Sequence, residues 1–132
     1  MEKKIENVKL AKEIVDARKE AFKIRLKDFS VSTMKQCKML RKDPVLWSLC
    51  DQLIRSATSV GANINEAQGA GSKKDFAYYF QIALKSAKET KYWLQVIERY
   101  DHKIEGMGYL FTECDAITNI LQASLKTLRS KL

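Results

Sequence analysis

The spacing of apolar residues constrains this chain more than any other feature. Between a few clear breaks, apolar side chains recur in alternating steps of four and three residues. Leu46, Cys50, Leu53, Ala57, Val60, Ile64 and Ala67 form one such series. Phe76, Phe80, Ala83, Ala87, Thr90, Leu94 and Ile97 form a second. Leu110, Cys114, Ile117 and Leu121 form a third, which Leu125 and Leu128 continue with a slight shift. A 4-3 rhythm held over three turns or more keeps one stripe of a helix facing its neighbours in a left-handed bundle.

The breaks support the same reading. Asp43-Pro44 has the form of a helix cap followed by proline at the first helical position. Gly69-Ala70-Gly71 ends one helix, and Ser72 with Asp75 three residues later opens the next. Asp101-His102-Lys103 and the Gly106/Gly108 pair mark a third break. Links this short make successive helices antiparallel neighbours. The expected fold is all-α: a single up-and-down four-helix bundle over residues 1–132, large enough at this length to fold without disulfides or metal.

The first 42 residues are less regular. Ile5, Val8, Val15, Phe22, Leu26 and Phe29 make a broken stripe that Met34, Cys37 and Leu40 continue. They read either as one long helix or as two with a kink near Lys27-Asp28. Residues 1–27 are expected to form a helical extension, projecting in large part beyond the bundle.

Residues 55–68 depart from the ordinary core pattern, with small and polar side chains where leucine would be usual. Arg55, Ser59, Ala62 and Glu66 share one stripe, with Ser56 and Asn63 beside it. An antiparallel hairpin turning at Ala70 places Arg55 near Ser86 with Glu89 within a turn, Glu66 near Lys74 and Asp75, and Asn63 near Tyr78 and Tyr79. The register therefore predicts an Arg55–Glu89 ion pair, and a hydrogen bond from Asn63 to a tyrosine or a backbone group. This polar seam of Arg55, Ser59, Asn63, Glu66 and Glu89 reads as structural, against a direct role in ligand binding. On the third helix, Tyr79, Ile82 and Trp93, with Tyr78, Tyr92 and Val96 alongside, give more apolar surface than a four-helix monomer covers, which predicts homo-oligomerisation.

The chain resembles a known family in the segment Leu53-Ile-Arg-Ser-Ala-Thr-Ser-Val-Gly-Ala-Asn-Ile-Asn-Glu-Ala67, then Ser72-Lys-Lys-Asp-Phe76, then Ile82-Ala-Leu-Lys-Ser-Ala-Lys-Glu-Thr-Lys-Tyr-Trp-Leu94. These residues resemble the four-helix-bundle proteins encoded by intervening sequences of bacterial 23S ribosomal RNA genes, over about residues 28–130 and including Asp28-Phe29 at a helix head. A more distant resemblance is to the accessory proteins of diversity-generating retroelements. The first resemblance implies a ring-shaped homopentamer with no enzyme activity, and RNA binding inferred from gene location. About 25 residues at the start are extra to the family pattern.

Chemistry of other kinds is sparse. The one histidine, His102, sits in a polar turn, so no catalytic residues are proposed. The acidic residues lack metal-ligand spacing and no phosphate loop is present, so no metal, cofactor or small-molecule substrate is expected. Cys37, Cys50 and Cys114 lack a CxxC arrangement and fall among apolar residues; they are expected to be reduced, buried thiols rather than redox or metal groups. No apolar run spans a membrane, and no secretory signal is visible at the N-terminus, which favours the cytoplasm.

The net charge is +8. Residues 1–43 hold 13 Lys/Arg against 7 Asp/Glu, and the remainder 11 against 9, so the basic excess is mostly N-terminal. Lys73 and Lys74 fall in the first turn of the third helix, where an anion would relieve their opposition to the helix dipole. Lys85 and Lys88 follow on a face shared with Lys74 and Gln81. Lys73, Lys74, Lys85 and Lys88 are the candidate nucleic-acid contacts, with ribosomal RNA a candidate partner; the alternative is a solvated lysine surface. Two other readings stay open: a protein-interaction scaffold, such as an accessory subunit of a polymerase or retroelement reverse transcriptase, and a ligand-storing bundle.

Overall fold

The computed structural model describes residues 1–132. Four helices follow one another: α1 (Glu2–Leu40), α2 (Trp47–Ala67), α3 (Lys73–Tyr100) and α4 (Met107–Ser130), with a single 3-10 turn at Pro44–Leu46. Consecutive helices pack side by side, and α1 meets α4 to close the bundle. There are no strands.

The helix ends form as their residues dictate. Asp43 caps the 3-10 turn by accepting from the Val45 N–H at 3.0 Å, and Ser72 Oγ accepts from the Asp75 N–H at 3.1 Å. Gly106 takes φ of +89°, the left-handed region that L side chains avoid. A β-carbon there would lie 2.2 Å from Gln36 Oε1. Gln36 instead donates to the Glu105 carbonyl at 2.8 Å, tying the α3–α4 link to α1.

All seven apolar positions of the α2 series are buried, as are Ala83, Ala87, Thr90, Leu94 and Ile97 on α3 and Leu110 through Leu125 of the α4 series. The three cysteines are free and buried within this core. Desolvation pushes the Cys37 thiol up to about 12 and Cys114 up to about 11, and raises Cys50.

The first helix runs unbroken, so Asp28-Phe29 lies inside α1 rather than at a helix head. Met34 is exposed, whereas Thr33 and Gln36 are buried beside Cys37. Every residue from Met1 to Ala21 is exposed, and burial begins at Phe22, Lys23 and Leu26. The extension therefore joins the bundle about five residues earlier than residue 27. Its 20 helical residues extend about 30 Å at 1.5 Å each. Arg25 anchors the join through a two-pronged pair with Glu113 of α4, at 2.6 and 3.0 Å.

Candidate nucleic-acid interface

The polar seam between α2 and α3 is built from hydroxyls. Thr90 Oγ1 donates to Ser56 Oγ at 2.9 Å, and Ser86 Oγ donates to Ser59 Oγ at 3.0 Å. Asn63 Nδ2 donates to the Ser59 carbonyl at 2.8 Å, the backbone option of its two expected partners, while neither tyrosine receives it. Ser56, Ser86 and Thr90 are buried. Small side chains here let the two helices approach while each polar atom keeps a partner.

The Arg55–Glu89 ion pair does not form. Both residues are exposed, and neither belongs to any of the four ion pairs of the structure. Glu66 is likewise exposed, with no pairing to Lys74. Ser59 rather than Arg55 lies against Ser86, a displacement of one helical turn from the expected register. With Ser56 against Thr90, Arg55 and Glu89 stand at nearly the same level, yet both side chains stay in solvent and unpaired. The chain runs on beyond Ala67 in tight turns, with the Gln68, Gly69 and Ala70 N–H groups bonded three residues back. The start of α3 accordingly overhangs the end of α2.

The solvent face of α3 is organised along its length. Lys74, Tyr78, Gln81, Lys85, Lys88, Tyr92, Gln95 and Arg99 step by 4 and 3 and so share one strip opposite the core. No carboxylate falls on this strip. All eight are exposed, and Gln81 accepts from Arg129 of α4 at 3.0 Å, which brings a further cation to the edge. Lys73 lies one residue, about 100°, off the strip. The Asp75 N–H at the head of α3 is already held by Ser72, which leaves the anion site expected there one donor fewer.

Two tyrosines on the strip are held by aromatic neighbours. Tyr78 meets Tyr79 edge-on with ring centroids 5.9 Å apart, and Tyr92 meets Trp93 edge-on at 5.1 Å. Tyr79 and Trp93 are half-buried, so each anchors an exposed ring. Trp93 Nε1 is the one buried side-chain polar atom without a hydrogen-bond partner. The tyrosines stand about 21 Å apart along the axis, from 14 residues of 1.5 Å rise, with Lys85 midway. At the C-terminal end of the strip an open groove of about 730 Å³ runs between α3 and α4, lined by Tyr92, Gln95, Val96, Arg99, Gly108 and Phe111 among others. Lys91 borders it, paired with Asp115 at 2.8 Å, a bond that raises the Lys91 amine above its ordinary value.

Lys74, Lys85 and Lys88 share one face with Gln81, as their spacing predicts. Tyr78, Tyr92 and Arg99 also belong to that face, and their seven-residue spacing with Lys85 is the signal for it in the sequence. Nothing in the pattern of α4 foretold Arg129.

No group of His, Cys, Asp or Glu in the structure could hold a metal ion, and no helix is long and apolar enough to cross a membrane. No curated protein matches the chain. A solved structure that does match is a protein of unknown function from the S23 ribosomal protein family of Bacteroides thetaiotaomicron. It is 32% identical, with a TM-score of 0.73, and the match covers 79% of this chain and 97% of that one. The family model for the 23S rRNA-intervening sequence protein matches residues 23–123, beginning where α1 enters the bundle. On that match, over about three quarters of its length, the chain belongs to the 23S rRNA-intervening sequence protein family.

Proposed function

We propose that the protein is a non-enzymatic, homo-oligomeric bundle that binds single-stranded RNA across the solvent face of α3. The observation that carries this reading is the carboxylate-free strip on which Tyr78 and Tyr92 alternate with Lys74, Lys85, Lys88 and Arg99. Cations track the phosphates without regard to sequence, and an exposed ring offers a stacking surface to any base. Edge-on support from Tyr79 and Trp93 holds each ring at little entropic cost on binding. The family name makes ribosomal RNA the first ligand to try.

Assembly into a ring of five follows the family resemblance. The half-buried Tyr79, Ile82 and Trp93 along the α2 side of α3 are the apolar surface such an assembly would cover. A ring repeats the strip in each subunit and raises avidity without a tight single site. Three free thiols agree with a reducing compartment, the cytoplasm.

The alternative reading, an accessory subunit that docks a polymerase or other protein, draws on the partly apolar groove beside Tyr92 and Phe111. A salt titration separates the two. RNA affinity that falls steeply between 50 and roughly 200 mM salt supports the RNA reading. Absence of binding at the lowest salt, with a protein partner retained at high salt, supports the other.

A further inference from the structure

The extension of α1 carries a second stripe that the bundle does not use. Leu10, Ile14, Ala17, Ala21 and Ile24 step by 4, 3, 4 and 3, and the run ends at Asp28. Leu10, Ile14 and Ile24 are 55%, 46% and 50% exposed. This stripe lies on the face of α1 opposite Leu26 and Phe29, so no other part of the chain can cover it.

Its flanks follow the heptad rule for paired helices. Ile14 and Ala21 occupy a, and Leu10, Ala17 and Ile24 occupy d, with the polar a positions Asn7 and Asp28 bounding the seam at either end. The preceding g positions are Glu6, Glu13 and Glu20. The e positions are Lys4, Ala11, Arg18 and Arg25. One edge is therefore acidic and the other mainly basic. In a parallel pair, g of one helix faces e of the other five residues on, which sets Glu13 against Arg18 of the partner subunit. An antiparallel pair would set Glu against Glu. Neither Glu13 nor Arg18 has an ion-pair partner within the chain. Ile14 at a beside Leu10 at d is the two-stranded combination, and Asn7, the a position just before the seam, is a polar residue of the kind that fixes register.

We infer that the extension pairs with that of a second copy of this chain, as a parallel, in-register, two-stranded coiled coil along Leu10–Ile24. The inference is independent of RNA binding and uses a face remote from Tyr79, Ile82 and Trp93, so it goes beyond the assembly proposed above. In a ring, the pairing would join one assembly to another. The family match starts at residue 23, so Leu10, Ile14, Ala17 and Ala21 of the stripe lie outside it.

The test uses the full-length chain. Leu10→Cys, at one end of the seam, is expected to form a disulfide-linked dimer rapidly under mild oxidation. Lys12→Cys, on the opposite face, is expected to stay unlinked; the native cysteines are buried. Glu13→Arg should halve the mass measured by light scattering, and Glu13→Arg combined with Arg18→Glu should restore it. Helix content by circular dichroism reports that the bundle remains folded. Equal cross-linking at positions 10 and 12, or a mass indifferent to Glu13→Arg, would overturn the pairing. A mass that halves to that of one 15.2 kDa chain would retain the pairing while excluding the ring.

Discussion

The hydroxyl of Thr90 on α3 donates to Ser56 Oγ on α2 at 2.9 Å, and both residues are buried. Ser56 passes the connection on to the Leu53 carbonyl at 3.2 Å. This link, rather than an ion pair, fixes how the two central helices meet. Thr90→Val keeps the shape and removes the donor. It should cost about 1 kcal/mol in urea unfolding, the net worth of a neutral hydrogen bond. Arg55→Ala, on the exposed edge of the same region, should change stability by less than about 0.5 kcal/mol.

That contrast shows what the sequence could and could not disclose. The buried stripe of α2 was legible at every position because 4-3 spacing leaves one face for a helix in a bundle. Which polar residues meet across the seam depended on register. Register depended on a link that continues past Ala67 before turning, and no periodicity reports the path of a link. Ser59 meets Ser86 and Ser56 meets Thr90 one helical turn away from the expected register, while Arg55 and Glu89, though level with each other, stay exposed and unpaired. On α1, Ile5, Val8 and Val15 keep the spacing of core residues but have no neighbouring helix, so spacing alone could not separate the bundle from its extension. The candidate RNA face was legible in its lysines and not in its tyrosines, because an exposed ring and a core ring look alike until the helix is oriented.

Gly106 is held at φ of +89° with Gln36 packed where a side chain would begin. Gly106→Ala should destabilise the bundle by about 2 kcal/mol, from the left-handed backbone and the displaced Gln36. Gln36→Ala in the same background should relieve part of the loss, since the clash is with Gln36 Oε1. Thermal unfolding of the two single variants and the double variant gives the coupling.

The buried thiols predict alkaline sensitivity. Cys37 and Cys114 are raised from 9.0 to about 12 and about 11 in the folded chain, while unfolding returns them to the ordinary value. Above about pH 9 the unfolded state releases protons that the folded state retains, so stability falls as pH rises towards 12. Below that range these groups contribute no pH dependence. Labelling by a thiol reagent at pH 8 should be negligible in the folded protein and should reach three groups per chain in urea.

Equilibrium binding of a fluorescent single-stranded RNA, measured by anisotropy across a salt series, tests the central claim most directly. The account predicts two separable effects on the solvent face of α3. Lys85→Gln with Lys88→Gln should flatten the slope of log Kd against log salt by up to about 1.4, since each phosphate contact on a single strand contributes about 0.7. Tyr78→Ala with Tyr92→Ala should weaken binding by at least about tenfold at every salt concentration and leave the slope unchanged, because stacking releases no counterions. RNA binding that is absent at low salt, or unaffected by both pairs of substitutions, would contradict the account.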